Sequence, residues 1–152
     1  MNVAALPWPN RLLSPNARVH HLVKHKAVRS HRGLAAVIGA QHGRKRLRIP
    51  VLAILPVVTT RRRRDIDNVL AGLKSALDGL TDCGWWEDDS EVVGITIRKP
   101  LYIREWSIDP IIVTADEESN EDVMLTRLRW FSSRATEDHL SAWADLCKYR
   151  PQ

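Results

Sequence analysis

IPVLAILPVVTTRRRRDIDNVLAGLKSALDGL, residues 49–80, decides the reading of this chain. Its first ten residues, Ile49 to Val58, form a continuous apolar run rich in β-branched side chains, which predicts a buried strand. Downstream, apolar residues fall at 66, 69, 70, 73, 76, 77 and 80. At 100° per residue these positions share about one third of a helical surface, so a core-facing helix follows the strand. Asp65 or Asp67 can cap its first turn. Between strand and helix stand four arginines and two aspartates, and there the chemistry is expected.

Working outward, residues 3–9 read as a short strand ending at prolines, with a turn at Ser14-Pro15-Asn16. Residues 17–40 suit a helix whose stripe includes Val19, Leu22, Val23, Lys26 and Ala27. Lys24, His25, Arg29 and Arg32 lie opposite. Gly33, Gly39 and Gly43 weaken its second half, and Gly43 is an expected stop. Trp85-Trp86 lead into the turn Glu87-Asp88-Asp89-Ser90. Residues 92–97 and 106–114 read as further strands, with 102–105 as a strand extension or hairpin connection. Residues 116–122 (DEESNED) form an acidic spacer, and helices are expected over 123–134 and 136–147. The expected fold class is α+β: a small mixed β-sheet packed with helices, residues 1–115, plus a C-terminal helical extension, residues 116–152.

Charge is segregated along the chain. From Met1 to Arg64 there are 14 Lys/Arg and no Asp or Glu; the following 88 residues hold the other 9 against all 18 acids. A polyanion would be drawn to the first part, and nucleic acid is the leading partner. The first candidates for phosphate contacts are Arg61, Arg62, Arg63 and Arg64, followed by Lys24, Arg29, Arg32, Arg44, Lys45, Arg46 and Arg48. No apolar run reaches the length of a membrane span. The N-terminal residues lack the pattern of a signal peptide, so a cytoplasmic location is expected. Cys83 and Cys147 show no metal-ligand spacing and read as free thiols.

Two carboxylates at i, i+2, where a strand gives way to a helix, can converge on one ion. A third from the start of the next strand can complete an all-oxygen site suited to Mg²⁺ or Mn²⁺. The neighbouring arginines let an anionic backbone approach carboxylates that would otherwise repel it. An EF-hand does not fit, since the loop lacks its sixth-position glycine and twelfth-position glutamate. The histidines at 20, 21, 25, 31 and 42 form no zinc motif and are expected on the helix surface or facing DNA. Trp85 and Trp86 are expected in the core or a dimer contact.

Three blocks carry a family resemblance: Leu6-Pro7-Trp8-Pro9 with Ser14 to His20; Asp65-Ile66-Asp67-Asn68 with Lys74 to Leu80; and Glu87-Asp88-Asp89-Ser90. Their order and separation, over about residues 3–115, resemble the RusA family of Holliday junction resolvases. The resemblance implies a homodimeric endonuclease that resolves four-way DNA junctions with Mg²⁺, using three aspartates and a lysine. Asp65, Asp67 and Asp89 match the aspartates and Lys74 the lysine. The family lysine usually stands four residues after the second aspartate, where this chain has Ala71. The implied reaction is phosphodiester hydrolysis leaving a 5′-phosphate and a 3′-hydroxyl. Two other readings share the basic surface: a non-catalytic DNA-binding protein, and a nuclease acting on other DNA structures.

Overall fold

The computed structural model describes residues 1–42, 45–104, 106, 108–120 and 122. The elements in order are β1 (Asn2–Pro7), α1 (His21–His42), β2 (Pro50–Val58), α2 (Ile66–Asp82), β3 (Gly94–Ile97), β4 (Leu101–Tyr102) and β5 (Pro110–Glu117). Short 3₁₀ turns cover Arg11–Leu13, Asp89–Glu91 and Glu118–Asn120. The sheet is mixed, in the order β1-β5-β2-β3. β1 and β2 run antiparallel to β5; β3 and β4 run parallel to β2. The expected α+β class is the observed one.

All nine residues of β2 are buried because both faces of the strand are covered. Leu52 and Ile54 point to the helices. Val51, Ala53, Leu55 and Val57 pack on the other side with Ile103 and Ile112. That alternation follows from the two-residue period of a strand. A proline inside a central strand would cost a ladder bond. Pro56 avoids this because it falls between the β3 pairing, Val51 to Ile54, and the β4 pairing, Val57 to Val58.

β2, α2 and β3 form a parallel βαβ unit, which sets α2 across the sheet with its N-terminus after the carboxyl end of β2. The inward face of α2 carries Val69, Leu73, Ala76, Leu77 and Leu80, packed with Trp85 and Trp86. Both tryptophans are buried, and the Trp85 indole N–H donates to the Gly39 carbonyl at 2.9 Å. α1 crosses α2 at glycines: a Cβ on Gly79 would clash with the carbonyl of Arg32 and crowd Ala35.

Three expectations need correction. The buried residues of α1 are His31, Ala35 and Gly39, whereas Leu22 and Val23 are 64% and 48% exposed. Small residues in the second half of α1 allow the close crossing, so that half meets the core and the first half projects past it. Gly33 and Gly39 therefore lie inside a helix that continues to His42. His31 is internal rather than DNA-facing: Nε2 lies 3.4 Å from the Pro7 carbonyl and Nδ1 2.8 Å from the Ser75 hydroxyl. A carbonyl can only accept, so Nε2 carries the hydrogen and Nδ1 accepts from Ser75 in the neutral ring. Burial pushes its pKa below 6.5. Finally, β5 begins at Pro110 and runs through Asp116 and Glu117, two residues of the expected spacer. The Glu117 carboxylate accepts from the amides of Arg48 and Ile49 at 3.2 and 3.1 Å, which ties β5 to the entry of β2. The expected helices over 123–134 and 136–147, like Cys147, lie outside the described residues.

Candidate functional site

α2 begins where the extended Arg61–Arg64 stretch ends. Asp65 holds the N-cap position with extended backbone angles, yet its side chain makes no capping bond. Its carboxylate instead accepts a long hydrogen bond, 3.4 Å, from the Asn68 side chain. Asp67, in the first turn, is exposed and has no hydrogen bond or ion pair among the described residues. Two carboxylates thus stand at a helix start without doing the capping work that would explain them. Carboxylates there are favoured electrostatically by the helix field.

Asp88 and Asp89 divide their roles. Asp88 caps the 3₁₀ turn by accepting from the amide of Ser90 at 2.9 Å and its hydroxyl at 2.5 Å, and those bonds hold its carboxyl below the usual range. Asp89 turns to α2, where it accepts from the Thr81 hydroxyl at 2.8 Å and from the Lys74 ammonium. Lys74 also donates to Asp78 at 2.5 Å. The Lys74 ammonium keeps Asp89 below the usual carboxylate range, and Thr81 adds to this. In turn Asp78, then Asp89, raises the pKa of Lys74. Nearby, Arg32 grips Asp82 with two bonds of 2.6 and 2.7 Å and reaches Asp78 at 4.0 Å.

The four residues expected to carry the chemistry therefore fall into two groups. Lys74, at the middle of α2, and Asp89 are in contact; Asp65 and Asp67 stand at the N-terminal end of the helix. At 1.5 Å of rise per residue, about 21 Å of helix separates Asp67 from Thr81, to which Asp89 is bonded. Among the described residues no three His, Cys, Asp or Glu side chains gather in a way that could hold a metal ion. The three aspartates do not close into one cluster within this chain, because Asp89 is bound toward the C-terminal half of α2.

A groove of about 300 Å³ opens beside Asp65, between the start of α2 and the loop after β1. Trp8, Arg11, Ser14, Arg63, Arg64 and Asn68 are among its lining residues. Arg64 lies over the Trp8 ring, 4.6 Å from its centroid, and pairs with Asp109 at 3.1 Å. The turn-forming loop of Ser14 and Asn16 is closed by a 3.4 Å bond from the Asn16 amide to the Ser14 hydroxyl. Sequence reasoning quoted Trp8 only within a family block and did not single out Arg11 or Asp109. Arg11 follows the Leu6–Pro9 block by two residues, but no spacing marks Asp109.

The basic candidates also divide. Arg62, Arg63, Lys24 and Arg29 have no ion pair among the described residues, and all but Lys24 are exposed. Arg61 stacks over Tyr102 at 4.8 Å. Arg32, Arg46 and Lys45 are paired with Asp82, Glu87 and Glu117. Arg44 lies outside the described residues. No helix among the described residues is long and apolar enough to cross a membrane. Cys83 is a free, half-buried thiol, and burial pushes its pKa up.

Comparison with known proteins covers most of this region. The family described as endodeoxyribonuclease RusA matches residues 14–110, which include Asp65, Asp67, Lys74 and Asp89. A Xylella fastidiosa protein named only as uncharacterized is 41% identical over 87 residues; the match covers 54% of this chain and 57% of that protein. The crossover junction endodeoxyribonuclease RusA of Escherichia coli K12 is 36% identical over 99 residues, covering 62% of this chain and 78% of the relative. A protein of the same name from enterobacteria phage 82 is 35% identical over the same length. With its site residues inside the matched region, this chain belongs to the endodeoxyribonuclease RusA family.

Proposed function

We propose that this protein is an endonuclease that cuts branched DNA, four-way junctions above all, with a divalent cation, Mg²⁺ or Mn²⁺. The observation that carries the reading is the start of α2. There Asp65 and Asp67 stand without capping duty beside Arg62 and Arg63, which no acid neutralises among the described residues. Unpaired carboxylates next to unpaired guanidiniums suit a site that takes a cation and a phosphate together.

The donor set fits the ion in part. Mg²⁺ is commonly held by one or two carboxylates, with substrate phosphate oxygens and waters filling the remaining positions. Asp65 and Asp67 are such a pair. Asp89 is the third proposed ligand, and joining them requires it to give up both Lys74 and Thr81 and to cross the roughly 21 Å of helix between Thr81 and Asp67. When bound, the ion lowers the pKa of water and offsets the negative charge that develops on the phosphate.

The remaining roles belong to side chains. Lys74 brings a positive charge to the transition state once a phosphate competes for it with Asp78 and Asp89. Arg62 and Arg63 hold the DNA backbone as the strand approaches, and Lys24 and Arg29 extend the basic surface along α1. Binding of this kind weakens steeply with salt. Assembly as a twofold homodimer would offer two such sites to the two strands cut in a junction.

A panel of four-way, flap and linear DNA with Mg²⁺, Mn²⁺ or EDTA tests the proposal. The expected result is cutting of branched DNA with either metal and none in EDTA. Binding without cutting under every ion would make the chain a non-catalytic DNA-binding protein. Preferred cutting of flaps or linear duplex would make it a nuclease of another specificity.

A further inference from the structure

We propose that the groove beside Asp65 receives one unpaired nucleotide of the DNA strand, next to the phosphate that is cut; this rests on the nuclease reading above. At about 300 Å³ the groove lies at the small end of ligand pockets. It has room for a single nucleotide and not for a duplex, whose major groove alone is about 12 Å wide.

The lining suits that ligand. Arg64 is fixed before any DNA arrives. Its guanidinium lies on Trp8 and is paired with Asp109, which accepts in turn from the Thr59 amide at 2.8 Å and hydroxyl at 2.7 Å. Guanidinium planes and aromatic rings are the usual platforms for splayed-out bases. Arg11 and Arg63, also on the lining, have no ion pair among the described residues and can take the phosphates on either side of the base.

Asp65 is the single acid on the lining among the described residues, so a nucleotide seated there brings its neighbouring phosphate to the proposed metal pair. Leaving the stack costs least for a base that is already unpaired, as at the centre of a junction. The groove therefore selects for branch points as well as positioning the strand.

The test uses the full chain and a series of four-way junctions. Each junction lacks one base at a nucleotide around the crossover, and binding is measured in EDTA so that no cutting intervenes. Removing the base at one nucleotide beside the cut position is expected to weaken binding by about tenfold, the scale of a single stacked base. Ser14→Trp, which fills the groove, is expected to abolish that difference. Equal losses at every nucleotide, or no loss at any, would overturn the inference while leaving the nuclease reading intact. A positional loss that persists unchanged in a folded Ser14→Trp would overturn it too. Should Ser14→Trp not fold, the positional pattern with the native chain decides alone. Failure of the native chain to bind junctions would bring down the nuclease reading and this inference with it.

Discussion

The two ends of α2 handle charge in opposite ways. At the N-terminal end, Asp67, Arg62 and Arg63 have no protein partner among the described residues, and Asp65 has only a long contact with Asn68. From the middle of the helix onward, Lys74, Asp78, Thr81 and Asp82 are closed into a network with Arg32 and Asp89. Charges that satisfy one another hold a surface together. Charges left open beside a groove await something from outside. On the proposed reading, the difference separates the end that would meet DNA from the part of the helix that holds Asp89 and Lys74.

The strongest way to break this comparison is Asp67→Asn, which removes an open carboxylate at almost no change in shape. Cutting of a four-way junction should fall about a thousandfold, or about 4 kcal/mol. Gel-shift affinity should stay within about threefold, the expected margin for an exposed group that DNA phosphate does not contact. A matching loss of binding would make Asp67 structural. Lys74→Ala probes the closed end. Single-turnover cutting should drop about a hundredfold, the scale of one lost transition-state donor. Thermal stability should change by less than about 0.5 kcal/mol, because the ion pairs of Lys74 are largely exposed.

Binding sharpens the contrast among the arginines. Replacing both Arg62 and Arg63 by Ala should weaken junction binding about tenfold and flatten the log–log salt dependence by about 2, close to one unit per lost phosphate contact. Arg46→Ala should weaken it by about twofold at most, since Glu87 already occupies that guanidinium. Equal effects of the two changes would erase the distinction between open and paired cations.

The smallest effect belongs to His31. Its folded pKa lies below 6.5, so the unfolded chain binds more protons once the pH falls through 6.5. Its stabilising contribution is present above that value and is lost as pH drops toward the folded pKa. Melting temperature between about pH 7.5 and pH 5.5 should fall more steeply for the native chain than for His31→Gln. Parallel curves would show that the buried ring does not titrate with unfolding.

Much of the fold was legible in the sequence because β2 and α2 carry unambiguous periods. The unbroken run Ile49 to Val58 needs cover on both faces, and the 66–80 stripe needs one partner surface. α1 was misread for a physical reason. Its core contact is made by His31, Ala35 and Gly39, two small residues and one polar one, which a hydrophobic pattern passes over, while Leu22 and Val23 attract notice and lie exposed. The candidate site was legible as residue types: paired carboxylates beside arginines, then an acidic turn. Its division was not, because the hold of Lys74 and Thr81 on Asp89 depends on how the turn after Trp86 folds back along α2. Asp109, which fixes Arg64 from the entry of the neighbouring strand β5, left no local signal at all.

The central claim is that the open carboxylates at the start of α2 hold a divalent cation that cutting requires. It is tested most directly by measuring cleavage of a four-way junction while Mg²⁺ is titrated, for the native chain and for Asp65→Asn. The account predicts saturable, metal-dependent paired nicks with the native chain, and either no cutting or a large rise in the Mg²⁺ concentration needed with the variant. Cutting that persists in EDTA, or identical Mg²⁺ curves for the two proteins, would contradict it.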